Sequence, residues 1–455
     1  MSYKSVKEIL NDVFDSSDQV LKGVYKTESE VLNMVMDETG DPALKVRVKG
    51  LSDEFYTKSQ TDALLSAKLA KSAMSQIIGN LSAPLTHLPL KKNLLTGQGQ
   101  SICTFTRASS ATYVDRYGVL KTAAADTPRF TADGQLLEGT STNLLTYSEQ
   151  FDNAAWTKLR SMIPANTTET TDPYGTNLAD KLIEDTTAMN THLASQLYSY
   201  TTGTTYTFSV YAKAGSRCQI ALRFGDSGLA AGFDLSSGTV LSISSGITAK
   251  ISALSNGWYR VSATETAVNN GSYASQIQLM VSGATSYTGD GTSGLYIFGA
   301  QLEAMPFATS YIPTTATAVT RIADSISLSE PENIPPYSGN FSIIVDVIFD
   351  GNKISNQYVV DDGVLRLYRS PSRIISCTFN GVTITGNSTL ADNIAGSIAV
   401  VKNGTNLSLY LNGLLIGNAT VSNAVNPSVL YFGYCHLSNL RALGDALTSE
   451  EVYAA

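Results

Sequence analysis

From about residue 100 onward apolar and polar residues alternate with a period of two, and Gly, Asn, Ser and Asp interrupt the alternation every ~8–12 residues, the pattern of sandwiches or barrels. Tyr206, Phe208 and Val210 alternate with Thr207, Ser209 and Tyr211, and Ile220, Leu222 and Phe224 with Gln219, Ala221 and Arg223. Tyr259, Val261 and Ala263 alternate with Trp258, Arg260 and Ser262, and Ile277, Leu279 and Val281 with Gln276, Gln278 and Met280. One set in each strand predicts a core face. The opposite faces then offer Tyr211, Lys213, Gln219, Arg223, Trp258, Arg260, Gln276 and Gln278. A second strand-rich stretch follows the proline-punctuated linker around Pro331–Gly339, with strands expected at 341–349, 397–401 and 407–411. Asn412-Gly413 predicts a tight hairpin turn, and Leu447-Thr-Ser-Glu-Glu-Val-Tyr453 a short capped helix.

The first 100 residues read differently. Leu65, Leu69, Ala73, Ile77 and Leu81 recur every four residues behind a capping box at Thr57 and Gln60, which predicts a helix over 52–81. Its apolar stripe is thin. Packing against copies of itself through Leu65, Leu69 and Ile77, or lying on its own chain's body, are both open from pattern alone. Before it, Ile9-Leu-Asn-Asp-Val-Phe-Asp15 is echoed by Val31-Leu-Asn-Met-Val-Met-Asp37. Two such units hold too little apolar surface for a core of their own. They predict an attachment arm, with Leu10, Val13, Phe14, Leu32, Val35 and Met36 against a partner; a small independent cap is the alternative.

Composition narrows the function classes. Only 15% of the 455 residues are charged, against ~25% in an ordinary soluble domain, and the net charge of −8 disfavours nucleic acid and anionic membranes as partners. No apolar run reaches the ~18–20 residues of a membrane span, and the N-terminus does not read as a signal peptide. Cys103, Cys218, Cys377 and Cys435 lack metal-ligand spacing and predict small buried thiols made in a reducing compartment. With only three histidines, zinc and Ser-His-Asp chemistry have little material, and a binding protein is expected.

Specific motifs carry a resemblance. Phe105-Thr-Arg-Ala-Ser-Ser-Ala-Thr-Tyr-Val-Asp115, the stretch from Thr142-Asn-Leu-Leu-Thr-Tyr-Ser148 through Trp156, Gly257-Trp-Tyr-Arg-Val-Ser262, Gly299-Ala-Gln-Leu-Glu303, Thr309-Ser-Tyr-Ile-Pro-Thr-Thr315 and Thr320-Arg-Ile-Ala-Asp324 occur in order. Together they resemble a module of tailed-bacteriophage fibre and spike proteins, which implies a jelly roll similar to carbohydrate-binding modules. Residues 339–455, with Leu409-Tyr-Leu-Asn-Gly-Leu-Leu-Ile-Gly417, resemble a concanavalin A-like (laminin-G-like) sandwich. Phe55-Tyr-Thr-Lys-Ser-Gln-Thr-Asp-Ala-Leu-Leu65 resembles helical connectors of phage fibres, which implies a homotrimer. The duplicated arm resembles virion-docking segments.

Sugar-binding sandwiches stack pyranose faces on aromatic rings and bond hydroxyls with amides and guanidinium groups. Tyr211 and Trp258 are therefore candidate platforms, with Gln219, Arg223, Gln276 and Gln278 as hydrogen-bonding partners. An ordinary polar face or a subunit interface is the plainer alternative, and Trp258 also suits a core anchor. Trp156 is expected in the core. Arg321 and Asp324 are spaced for a local structural ion pair. Calcium at Asp361-Asp362-Gly363 or Gly289-Asp290-Gly291 competes with an ordinary turn, because neither has a spaced series of oxygens. A glycosidase needs two carboxylates across a cleft, and Glu138, Glu149, Glu184, Glu265 and Glu303 are scattered.

The resulting expectation is a mainly β chain: an arm (1–50), a helical oligomerisation stalk (51–90), a jelly-roll domain (91–328), a linker (329–338) and a concanavalin A-like domain (339–455). The function expected is that of a non-catalytic, trimeric virion fibre, made in the bacterial host cytoplasm, without a cofactor. It would dock on phage proteins and bind host-surface polysaccharide. A head or collar fibre contacting other virion proteins, and a polysaccharide depolymerase, are the rivals.

Overall fold

The computed structural model describes residues 86–89, 103–328, 335–351, 355–426, 430–433 and 435–454. The expected arm with Leu10, Val13, Phe14, Leu32, Val35 and Met36, and the stalk helix with Leu65, Leu69 and Ile77, lie outside the described residues. Thr86–Pro89, expected at the end of the stalk, is instead a strand paired antiparallel with His436–Leu443.

The described chain is mainly β, in two sandwiches. Sheet A of the first runs, edge to edge, through Thr248–Ala253, Trp258–Thr266, Thr205–Lys213, Gly294–Glu303, Asp180–Glu184 and Ser161–Met162. Sheet B runs through Thr239–Ile243, Ala230–Asp234, Gln219–Phe224, Gly271–Met280, Leu193–Tyr200 and Thr157–Leu159. Between them Phe208, Val210 and Val261 of sheet A meet Ile220, Leu222, Phe224, Ile277 and Leu279 of sheet B, all fully buried. These are the inward sets that the alternation predicts. Trp156 lies in this core too, its ring 4.7 Å from Phe151 and its indole N–H donated to the Tyr147 carbonyl at 3.0 Å.

In the second sandwich, sheet C orders Leu414–Thr420, Asn406–Leu411, Ala395–Asn403, Phe341–Ile348, His436–Leu443, Gly134–Leu136 and Phe130–Thr131. Sheet D orders Cys103–Thr106, Ser325–Leu328, Leu430–Phe432, Gln357–Asp361, Leu365–Arg369, Ile374–Phe379 and Val382–Thr389. Phe341, Val345, Ile398 and Leu409 pack against Leu367, Ile375 and Phe379 in its core. The hairpin turn falls on Asn412 and Gly413, both with positive φ (50° and 77°), the geometry that Asn-Gly favours. The helix Ser449–Ala454 has a reciprocal capping box, Thr448 N–H to Glu451 Oε2 at 2.7 Å and Glu451 N–H to Thr448 Oγ1 at 3.3 Å.

The two sandwiches are interleaved. Segments that precede the first sandwich in sequence, Cys103–Thr106 and Phe130–Leu136, add to sheets D and C, and the exit strand Ser325–Leu328 joins sheet D before the 329–338 stretch is reached. Ser82–Tyr453 accordingly form one compact unit. A third layer lies on the outer side of sheet A: the hairpin Ala111–Val114/Leu120–Ala123 with segments near 171–179 and 308–315. Among the described residues no helix is long and apolar enough to cross a membrane.

Candidate functional site

The six residues expected to form a glycan face do not share one. Tyr211 and Trp258 sit on the outer side of sheet A, as their parity requires, but the third layer covers them. Tyr211 is 1% and Trp258 0% exposed, packed with Leu120, Ala179, Phe298 and Tyr311 in a small separate core. The indole N–H of Trp258 is donated to the Thr171 carbonyl at 2.8 Å. As placed, neither ring can stack on a sugar. The alternation gave the correct side of the strand; what it lacked was the roof, to which residues far earlier in the chain, Leu120 among them, contribute.

The motifs that carry the phage-module resemblance build this roof. Gly299 has φ +60°, and a Cβ there would come within 3.0 Å of both the Tyr211 and Tyr311 rings, so the glycine makes room for their packing. Gln301 accepts the Ile312 N–H at 2.6 Å, and Glu303 accepts the Thr309 N–H at 3.0 Å and the Ser141 hydroxyl at 2.6 Å. Asn143 donates to the carbonyls of Ala300 (3.0 Å) and Ile312 (2.8 Å). Behind the roof, three buried guanidinium groups, Arg107, Arg129 and Arg321, surround Asp324 and Glu138. The local pair expected between Arg321 and Asp324 is only a loose 3.9 Å contact; Asp324 is held by Arg107 at 3.0 Å and by Arg129, while Arg321 donates to the Gly139 carbonyl at 2.8 Å. Burial alone would raise the Glu138 carboxyl, but Arg321, Arg129 and Ser310 outweigh it and hold it well below the usual carboxylate range.

The other four expected residues do come together, on the outer side of sheet B, opposite the roofed face. Arg223 pairs in register with Gln276, Ala221 with Gln278, and Gln219 with Met280. Gln278 is 4% exposed and donates to Gln276 Oε1 at 2.6 Å, so it is inside the face rather than projecting from it. Gln219 donates to Asp234 Oδ2 at 3.1 Å and accepts the Gly283 N–H at 2.9 Å. The Arg223 side chain has no hydrogen bond or ion pair among the described residues. Small residues, Ala221, Gly232 and Ala230, form the floor beside it, and Leu197, two residues along from Ser195 opposite Gln276, is well exposed. No aromatic platform is among the outward residues of these strands.

A second concavity opens beside the roof. A cleft of about 410 Å³ runs between sheet A's outer side, the Ala111–Ala123 hairpin and the second sandwich, lined among others by Tyr113, Lys250, Ser252, Arg260, Ser310 and His436. Arg260 lies 5.4 Å over the Tyr211 ring and donates to the Thr309 carbonyl (2.5 Å) and Ser209 Oγ (3.0 Å). His436 lies 3.0 Å from Asp350 and 3.0 Å from Thr131 Oγ1. Burial opposes its charge, but Asp350 outweighs burial and raises its pKa. The sequence singled out none of these as site residues. Arg260 stood in the outward row, whereas Lys250 and His436 gave no signal because only long-range pairing brings them together.

The two stretches weighed for calcium are self-capped turns. Asp362 accepts the Tyr337 hydroxyl (2.6 Å) and the N–H groups of Val364 (2.8 Å) and Leu365 (2.7 Å). Asp290 accepts those of Thr292 (2.8 Å) and Ser293 (2.7 Å). No group of three or more His, Cys, Asp and Glu side chains placed to hold a metal ion occurs among the described residues. The scattered glutamates are engaged separately: Glu184 by Arg217 and Tyr287, Glu303 by the roof, Glu149 by Tyr311, and Glu265 by Ser227 beside Asp226.

No protein-family model matches the sequence, and no curated protein matches it. Solved structures do. The binding domain of botulinum neurotoxin DC aligns at 12% identity and a TM-score of 0.24 over 29% of this chain, which spans 38% of that one. The sialyllactose-bound CBM40 of a Ruminococcus gnavus IT-sialidase aligns at 11% identity and 0.24, covering 28% of this chain and 87% of that one. Domain 4 of AbnA, an arabinanase from Geobacillus stearothermophilus in complex with arabinotriose, aligns at 13% identity and 0.24, covering 32% and 80%. Likenesses this distant assign no activity to this chain.

Proposed function

We propose that the protein is a non-catalytic glycan-binding fibre of a tailed-bacteriophage virion, trimeric through its N-terminal stalk, and that the outer side of sheet B is its saccharide-contacting face. One observation carries this reading: Arg223 and Gln276 lie side by side, half-buried, on adjacent strands of the outer side of sheet B, with Gln219 farther along the Arg223 strand, and the Arg223 side chain has no protein partner among the described residues. A guanidinium beside the Gln276 amide, with small side chains next to it, offers planar donors to sugar hydroxyls without a catalytic couple. The motif resemblance supports a virion fibre, and three copies held together would multiply weak single-site contacts through effective concentration.

The test is host-cell and glycan-array binding by the full chain and by its Arg223→Ala and Gln276→Ala variants. Binding to cells or surface polysaccharide that both substitutions weaken supports the reading. Binding only to virion components would assign the protein to a structural fibre, and release of reducing ends from host polysaccharide would make it a depolymerase. Sedimentation of the full chain as a monomer would overturn the trimer.

A further inference from the structure

Two cations of the cleft on the opposite side of the first sandwich, Arg260 and Lys250, have no ion pair among the described residues. Arg260 reaches into the cleft from the Trp258–Thr266 strand and makes only two hydrogen bonds, both to neutral oxygens, Thr309 O and Ser209 Oγ. Its Nε is buried without a partner, and no carboxylate lies within ion-pair distance of it among the described residues. A buried Nε without an acceptor is costly, and a guanidinium that meets only neutral oxygens keeps its charge to offer an anion.

The surroundings hold further guanidinium nitrogens without an acceptor. The wall containing Glu138 backs onto three arginines and only two carboxylates, in which Arg129 Nε, Arg321 Nε and Arg321 Nη1 have no hydrogen-bond acceptor. Lys250 stands exposed at the rim, with its ammonium 2.7 Å from the neutral Asn393 Oδ1. The acids nearby are committed: Asp350 to His436, and Asp115 to the N–H groups of Tyr117 (2.9 Å) and Val119 (3.0 Å) in its own turn. Asp133, on the rim by His436, is the exposed one.

The remaining lining is hydroxyl-rich, with Ser252, Ser262, Ser310 and Tyr113, and at about 410 Å³ the cleft is in the range of small-molecule sites. We propose that this cleft is a second binding site, for a carboxylate-bearing saccharide, in which Arg260 pairs with the sugar carboxylate, Lys250 attracts it, and the serine hydroxyls bond the ring hydroxyls. A guanidinium without a carboxylate partner matches a sugar carboxylate, and the hydroxyl wall matches a polyol. The proposal shares with the function above only the ligand class; the two sites are on opposite sides of the sandwich and respond to different substitutions.

Calorimetric titration of the full-length protein with trigalacturonate, a glucuronate-containing disaccharide and sialyllactose tests it, with methyl-esterified trigalacturonate and inorganic phosphate as controls. At least one acidic sugar should bind, more weakly at high salt, and its uncharged counterpart (the methyl ester, or lactose for sialyllactose) should not. Arg260→Gln should weaken that binding about tenfold or more, the scale of a lost charge-assisted hydrogen bond, and Lys250→Glu, an exposed change that leaves folding intact, severalfold. Arg223→Ala should leave it unchanged. The proposal fails if no acidic sugar binds, if Lys250→Glu and a folded Arg260→Gln both bind as the parent does, if Arg223→Ala abolishes binding, or if phosphate binds as tightly as the sugar acids. Loss of host-cell binding in Arg223→Ala alongside any of these results would refute the cleft while sparing the sheet B face.

Discussion

Sheets A and B face away from one core with the same period-two alternation, yet one outer side is roofed and the other open. The difference follows from what stands outward. On sheet A it is Tyr211, Trp258 and Phe298, rings that each bury on the order of 150–250 Å² when covered. On sheet B it is Gln219, Ala221, Arg223, Gly232 and Gln276 with Leu193, Leu197 and Met280, a side without a ring, whose polar groups a roof would have to satisfy. Periodicity assigns a residue to a side; the size and polarity of the whole side decide whether the rest of the chain settles on it.

The largest effect should come from removing the centre of the roofed side. Trp258→Ala deletes a fully buried ring and its hydrogen bond to Thr171 and should cost about 3–5 kcal/mol. Urea unfolding with near-UV dichroism measures it. A stability within 0.5 kcal/mol of the parent would mean that the small core under the roof contributes little, and that the two sides differ less than their packing suggests. Next is Asp324→Asn, which leaves Arg107 and Arg129 facing a neutral amide and should cost about 3 kcal/mol. The same cluster gives a pH dependence at the acid end. The folded-state pKa of Glu138 is depressed, so its stabilisation is complete above the unfolded value, near 4.5, and is lost as the pH falls below it toward the folded one. Acid unfolding monitored by tryptophan fluorescence should therefore shift to higher pH in Glu138→Gln.

Much of this architecture was legible in the sequence. The inward sets around Phe208, Leu222, Val261 and Leu279, the Asn412-Gly413 hairpin and the Thr448–Glu451 cap are local patterns, and local patterns are what a sequence displays. The interleaving was not legible, since nothing around Phe130–Leu136 announces pairing with the remote His436–Leu443 strand. The same blindness hid the site. Tyr211 and Trp258 look like sugar platforms and are roof supports, because the segments that cover them are remote in sequence. Arg260 and His436 share one cleft for the same reason. Gly299, Gln301, Glu303 and Asn143 make the motif recognisable, yet their partners show that they hold the roof and touch no open surface.

Between the sheets, at the end where Thr266 leaves sheet A, a further test separates inner from outer faces. Glu265 faces Asp226 from the loop after the Gln219–Phe224 strand, and each has one buried oxygen without a donor. Burial, together with the hydrogen-bonded contact to Asp226, pushes the Glu265 carboxyl up to about 8. A pKa raised above the unfolded value gives stability that is whole below about pH 4.5 and lost as the pH rises through about 8. Glu265→Gln should flatten that loss and exceed the parent by on the order of 2 kcal/mol at pH 9, read as a difference in melting curves between pH 5 and 9. A parent protein with no such decline would show that the pair is already neutralised by something other than a shared proton.

The smallest expected change in stability is the one that decides the most about function. Arg223→Ala removes a side chain with no partner among the described residues from the open side of sheet B, so its unfolding free energy should stay within about 0.5 kcal/mol of the parent. Host-cell binding should nevertheless fall. The paired substitution on the roofed side, Trp258→Ala, should show the reverse order of effects, a large loss of stability with any loss of binding following from unfolding. Measuring both quantities in both variants, in the same buffer, places each residue on a plane of stability against binding. If Arg223→Ala moved along the stability axis as Trp258→Ala does, the open face would be packed against something, and the contrast between the two sides would reduce to which element does the covering.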